Sequence, residues 1–144
     1  MYQSILVPVD GSDQSRAALE VAAKLVASEA GNLYVLNAQE APPAEDGIGK
    51  VAGMPALNAD ELVQKQGQEV IEQACRQVKL DSEQVEPIVR AGKPAHVILS
   101  EAKRLGVDAV VMGSRGNSNI KSLVVGSVSY RVMHVASCAV MVVG

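Results

Sequence analysis

Residues 108–127 read DAVVMGSRGNSNIKSLVVGS. An unbroken apolar run, Ala109 to Met112, gives way to a loop over 113–126 rich in Gly, Ser and Asn, and a helical pattern follows over about 127–136. A short apolar run bounded by turn residues is the mark of a strand buried on both faces. The stretch is therefore strand, glycine-bearing loop, helix, and CAVMVV at 138–143 supplies the next strand.

The same unit recurs upstream. YQSILVPV at 2–9 predicts a strand that ends in Asp10-Gly11-Ser12, and a helix follows over 13–30 with Ala18, Leu19, Ala22, Leu25 and Val26 on one face. Ser12 or Asp13 can cap it, and Gly31 stands past its expected end. NLYVLNA at 32–38 predicts a second strand. Residues 39–57 carry Pro42, Pro43, Pro55 and three glycines and read as a mobile loop. Asn58 followed by Glu61 opens a helix to about 79, in which Gly67 either weakens the helix or lets a neighbour come close. Residues 85–90 form a short strand whose Pro87 favours the sheet edge, since proline has no N–H for the ladder. Pro94 opens a third helix that Gly106 ends. Strands alternating with helices imply one α/β domain over 1–144 with a parallel sheet covered on both faces.

Composition narrows the function. The chain has no Phe, no Trp, three Tyr and 23 Val, so β-branched packing replaces aromatic anchors. That speaks against a platform that stacks single-stranded bases. A net charge of −3 supplies no field for a polyanion, so nucleic acid is not an expected partner. Cys75 and Cys138 lack metal-ligand spacing and read as reduced, mostly buried thiols. No basic leader and no 18-residue apolar run is present, so a cytoplasmic protein away from membranes is expected.

The chemistry-bearing residues cluster in two places. Gly113-Ser-Arg-Gly116, nine residues, then Gly126-Ser127 suits an anion: glycines let backbone N–H groups converge, and a helix N-terminus adds unpaired donors and partial positive charge. Ser127 and Ser129 could add hydroxyls. The alternative is a plain connecting loop, and neither GxxxxGK[ST] nor GxGxxG is present. The second place is Pro8-Val9-Asp10-Gly11-Ser12. In a sheet ordered 3-2-1-4-5, strands 1 and 4 adjoin where the order reverses, and ligands sit beyond their carboxyl ends. Asp10 could bind ribose hydroxyls or a Mg²⁺ on phosphates, or simply act as a turn or cap residue; Ser12 fits a cap better than a ligand contact.

With these residues in place the chain resembles the universal stress protein family, in its ATP-binding subclass. The loop pattern G-2x-G-9x-G-[ST] is met by Gly113, Gly116, Gly126 and Ser127, and ILVPVDGS, Gly92-Lys93-Pro94 and GSVSYRVMHVASCAVMVV add to the likeness. The resemblance implies a Rossmann-like five-stranded sheet, an ATP or related adenine nucleotide in the crevice, and a homodimer joined through 138–143. By position it puts Pro8, Val9 and Asp10 beside adenine and ribose and Ala38 against adenine. Met112 and Gly113 would flank the nucleotide, and Gly116, Gly126, Ser127, Val128 and Ser129 would hold phosphates. Ala139 stands where the family usually has proline after cysteine, a departure at the sheet edge.

Other candidates are weaker. Arg115 and Lys121 could neutralise phosphate charge or merely be solvated. His96 and His134 lack acidic partners at a diagnostic spacing, and Ser114 and Ser118 lack the GxSxG elbow of a hydrolase. The expected function is a nucleotide-dependent regulatory or stress-response protein with an unidentified downstream protein partner. The alternatives are a slow Mg²⁺-dependent ATPase and a nucleotide-free interaction module.

Overall fold

The computed structural model describes residues 2–26, 30–40, 59–114 and 126–144. Its elements alternate as expected: β1 (Ser4–Pro8), α1 (Asp13–Leu25), β2 (Asn32–Gln39), α2 (Ala59–Gln77), β3 (Glu86–Ala91), α3 (Pro94–Leu105), β4 (Ala109–Gly113), α4 (Ser127–Val135) and β5 (Ala139–Val143). The sheet order is β3-β2-β1-β4-β5 and every neighbouring pair is parallel. Pro87 lies on β3, an outer strand, opposite Val35. There the missing N–H is tolerated.

Alternation along the strands sorts the core into two layers. Ile5, Val7, Val35, Val89 and Val111 face Ala18, Leu19 and Ala22 of α1 and Ile71 and Ala74 of α2. Leu6, Leu36, Ile88, Val110 and Met112 face Val97, Ile98 and Ala102 of α3 and Val132 of α4. A period of two on strands buried on both sides produces this division. Burying each of the Val, Leu, Ile and Met side chains contributes roughly 1.5–3 kcal/mol, which supplies the cohesion that aromatic residues give elsewhere.

Local chemistry sets the element ends. Ser12 Oγ accepts the Ser15 N–H at 3.2 Å and caps α1. The helix stops at Leu25, short of the expected 30, because Val26 turns extended (ψ 144°) and bridges Tyr2 in parallel beside the core. Gly106, at φ +63°, closes α3 with its N–H on Ala102 and Lys103 carbonyls. Gly67 allows α2 to lie against β3: a Cβ there would stand 2.3 Å from Val89 Cγ1. Of the two readings of Gly67, close approach is therefore the one the packing requires. A short 3₁₀ turn at Ser82–Gln84, not expected from sequence, links α2 to β3.

Cys75 belongs to the α1/α2 layer and Cys138 packs against the α3/α4 layer. The sheet separates the two thiols, and both are free. Among the described residues no helix is long and apolar enough to cross a membrane.

Candidate functional site: the cleft between β1 and β4

The order reverses at β1, which pairs with β2 on one side and β4 on the other. A cleft of about 130 Å³ opens at the carboxyl ends of these strands. Pro8, Val9 and Asp10 come from β1 and its turn, Ala38 from β2, Met112 and Gly113 from β4, and Val128 and Ser129 from α4. Ser15, Pro94 and Ile98 complete the lining. The described cleft is smaller than the ~300–1,000 Å³ of a site that encloses a drug-sized ligand. It therefore accommodates one part of a ligand rather than the whole.

Two segments that sequence reading placed face to face are indeed neighbours. The first is held by its own polar atoms. Asp10 Oδ1 accepts the Ser12 N–H at 2.9 Å, with Gly11 at φ +87° making the turn. The Asp10 N–H meets Ser15 Oγ at 3.4 Å, and that hydroxyl donates to the Ser12 carbonyl at 3.0 Å. Asp10 itself is exposed at the mouth. Ser12 is buried as the α1 cap, in line with the cap reading.

Behind this turn stands Asn37, only 3% exposed. Its Nδ2 donates to the Val9 carbonyl at 2.8 Å, and its Oδ1 accepts from Gln39 Nε2 at 2.5 Å. Val9 N–H donates to the Leu36 carbonyl at 2.8 Å, so β2 holds the end of β1 by both backbone and side chain. Asn37 was not singled out from sequence. The available signal was an amide set among the apolar residues Val35, Leu36 and Ala38 of the strand, which must find partners when buried.

The second segment is tied down equally well. Ser129 Oγ, 3% exposed, donates to the Gly113 carbonyl at 2.7 Å. The Gly126 N–H donates to the Ser114 carbonyl at 2.6 Å, and the Ser114 N–H to Val143 at 2.8 Å. These bonds alter two expected roles. Ser129 has one hydroxyl proton, and the Gly113 carbonyl holds it, so the hydroxyl anchors α4 to β4 instead of donating to an anion. The Gly126 amide is likewise engaged, and donors toward an anion fall to the first-turn amides of α4. Gly126 caps that helix at an ordinary φ of −63°.

Gly113 also has a different reason to be glycine. A Cβ there would lie 2.8 Å from Gln14 Cβ and 2.9 Å from the Gln14 carbonyl carbon. The close neighbour is the first turn of α1, so a larger residue here would disturb the fold itself and not only an approaching phosphate. Ser127 is exposed and does not line the cleft. Arg115, Gly116, Ser118 and Lys121 lie outside the described residues, as do Asn58 and most of the 39–57 loop.

Among the described residues no group of three His, Cys, Asp or Glu side chains stands together as a metal cage. Asp10 alone suits Mg²⁺ only as magnesium binds with phosphates, through one or two carboxylates with phosphate oxygens and water supplying the rest. His96 and His134 are exposed on α3 and α4, and His134 Nδ1 lies 3.0 Å from the Tyr130 carbonyl, which fits the structural reading of that histidine. Burial pushes both thiols above their ordinary pKa, with Glu72 adding to the effect at Cys75 and Asp108 at Cys138. Neither is an activated nucleophile.

A doubly wound parallel sheet with its cleft at the reversal point defines a class of small α/β proteins that take ligands beyond the carboxyl ends of their strands. Within it the chain belongs to the universal stress protein family, whose pattern it matches over residues 1–144. It is 35% identical to universal stress protein YxiE of Bacillus subtilis, over 99% of each chain. Its fold matches universal stress protein UspA from Lactobacillus plantarum with a TM-score of 0.73 and 27% identity, covering 99% of this chain and 98% of that one. More distant folds include a universal stress protein in complex with cAMP (TM-score 0.65, 22% identity, 99% and 96% covered). Another is the protein from Archaeoglobus fulgidus in complex with dAMP (TM-score 0.65, 20% identity, 99% and 98% covered).

Proposed function

We propose that the chain binds an adenine nucleotide, ATP foremost, in the cleft between β1 and β4, and acts as a nucleotide-dependent regulatory protein in the stress response. The observation that carries this reading is the convergence of Pro8, Val9, Asp10, Ala38, Met112, Gly113, Val128 and Ser129 on one cleft at the sheet's reversal point. The cAMP and dAMP held by two proteins of the same fold add support. The base packs against the apolar wall of Ala38, Met112, Pro94 and Ile98. Asp10 takes ribose hydroxyls or, with the phosphates, Mg²⁺. The phosphates lie toward the start of α4.

What the described residues do in this reading is position and exclude. Asn37 and the Ser12–Ser15 pair hold the Asp10 turn, Ser129 holds α4 against β4, and the aliphatic wall keeps water from the base. A fixed cleft reduces the ordering cost of binding. The direct test is mass spectrometry of small molecules released from protein purified without added nucleotide, followed by titration with ATP. Retained or titrated adenine nucleotide near one per protomer supports the reading. Empty protein that takes up no nucleotide removes it.

We further propose a homodimer through 138–143. Tyr130 and Val135 of α4 are 56% and 61% exposed, and among the described residues no strand pairs with the outer edge of β5. A free apolar edge is an aggregation hazard unless covered, and an identical strand covers it symmetrically. Because the Val143 carbonyl accepts from Ser114 of the β4 end, strand alternation turns the polar groups of Val142 to the free edge. Val142→Pro therefore removes an edge donor without breaking the β4 ladder. Sedimentation should show a wild-type dimer and a shift of the variant toward monomer. A wild-type monomer at tens of micromolar contradicts the proposal.

A further inference from the structure

On the far flank of α3 from the nucleotide cleft, a groove of about 350 Å³ runs between that helix and the edge strand β3. Arg90 of β3 and His96, Ser100, Glu101 and Arg104 of α3 line it. Glu101 is 4% exposed, although carboxylates are seldom buried without strong partners. Arg104 Nε donates to its Oε2 at 2.5 Å. Arg90 Nε stands 2.7 Å from its Oε1, but the N–H is not directed at that oxygen, which accepts no hydrogen bond among the described residues.

The cluster thus joins two unmatched needs. Two guanidiniums share one carboxylate and leave a net charge of +1. Both are about half exposed, and both meet the carboxylate through Nε. Arg90 Nη1 donates to the Val89 carbonyl at 3.0 Å, which ties one arm of the guanidinium to the backbone while other N–H groups remain to be met. The guanidinium fork is built for oxyanions. Glu101 Oε1, in contrast, needs a donor. An anion that carries its own proton answers both once Arg90 releases the Val89 carbonyl and swings off the carboxylate, uncovering the buried Oε1: its charged oxygens then accept from the arginines and its hydroxyl donates to Oε1.

We propose that this groove is a binding site for inorganic phosphate, held by Arg90 and Arg104 and selected by Glu101. Hydrogen phosphate keeps a P–OH across the neutral range. Sulfate has no proton to offer and would set a bare oxygen against the carboxylate. A phosphate monoester offers the same charged oxygens but has lost most of its P–OH at neutral pH, its second pKa being about 6. The site is separate from the nucleotide cleft and does not depend on that reading.

The test is calorimetric titration of the full chain in chloride buffer at pH 7.5 with inorganic phosphate, sulfate and glycerol phosphate. Phosphate is expected to bind about tenfold or more tightly than sulfate, and more tightly than glycerol phosphate. Arg104→Gln keeps an N–H donor near Glu101 Oε2 but removes the charge; it is expected to weaken phosphate by about tenfold and to lower the melting temperature, since Arg104 is the hydrogen-bonded partner of a buried carboxylate. Glu101→Gln should narrow the gap between phosphate and sulfate. Thermal melting checks both variants; if Glu101→Gln does not fold, the wild-type anion series and Arg104→Gln decide. Equal binding of phosphate and sulfate, tighter binding of the ester, or phosphate binding unchanged in Arg104→Gln would each overturn the assignment. No phosphate binding at millimolar concentration would overturn it outright and leave a purely structural ion cluster.

Discussion

Gly113→Ala is the substitution that most sharply separates steric from ligand-based roles at the cleft. The added Cβ would face Gln14 Cβ at 2.8 Å, the Gln14 carbonyl carbon at 2.9 Å and its oxygen at 3.1 Å. Two of these atoms are backbone in the first turn of α1, so no side chain can swing aside and the helix itself must shift. Forcing an extra methyl into a packed contact costs about 1–3 kcal/mol. At roughly 2–4 °C per kcal/mol for a domain of this size, the melting temperature should fall by about 2–12 °C. The displaced turn also carries the Ser12–Ser15 pair that holds Asp10, so nucleotide affinity should fall with stability. Gly11→Ala is the control. It has open space around it but sits at φ +87°, and its cost of about 1–2 kcal/mol comes from the backbone alone. Gly11→Asn should recover part of that loss, whereas no residue at 113 should. Denaturant unfolding and ATP titration of the three variants read both quantities. Gly113→Ala with wild-type stability would refute the close approach of α1 to the end of β4.

Four further outcomes are expected. Gly67→Ala should destabilise by about 1–3 kcal/mol despite alanine's better helix propensity, because the stiff Val89 side chain blocks the new methyl; Gly67→Ala/Val89→Ala should recover part of it in the same unfolding assay, and additive losses would contradict the contact. Asn37→Ala leaves the Val9 carbonyl without its side-chain donor and should cost about 1–3 kcal/mol, with faster amide exchange around Asp10; unchanged exchange would mean that Asn37 does not hold the turn. Cys75 should resist alkylation at pH 8 except through opening of the fold, and Cys138 should react sooner. Because both folded thiol pKa values are raised, their contribution to stability is full below the ordinary thiol pKa and is lost as pH rises through the folded values, so stability should decline on the alkaline side. Reaction of both at the rate of a free cysteine would contradict their burial.

The fold was legible because each level of the sequence agreed. Val-rich runs marked strands buried on both faces, Pro87 marked the outer strand, and Pro94 and Gly106 bracketed α3. The end of α1 was less legible, since Val26 continues the helical period and leaves it only to pair with Tyr2, a contact distant in sequence. The cleft was legible at its glycines and at Asp10, but the reason for Gly113 was not: its neighbour Gln14 lies almost a hundred residues away in the chain. Ser129 presented a hydroxyl whose partner, the Gly113 carbonyl, depends on how α4 docks. Pro94 and Ile98 looked like ordinary helix residues until α3 was brought to the cleft, and Asn37 like an ordinary strand residue until β2 was set against the end of β1. Periodicity records which face is buried; it does not record what that face meets.

The central claim is that the cleft between β1 and β4 holds an adenine nucleotide. The most direct measurement is a titration of the isotopically labelled protein with ATP, AMP and cAMP, following backbone amide shifts. The account predicts saturable shifts at Val9, Asp10, Ala38, Met112, Gly113 and the first turn of α4 for at least one of the three, at one ligand per protomer, with β3 and the outer face of α2 unmoved. No saturable shift with any of them, or shifts centred away from these residues, would contradict it.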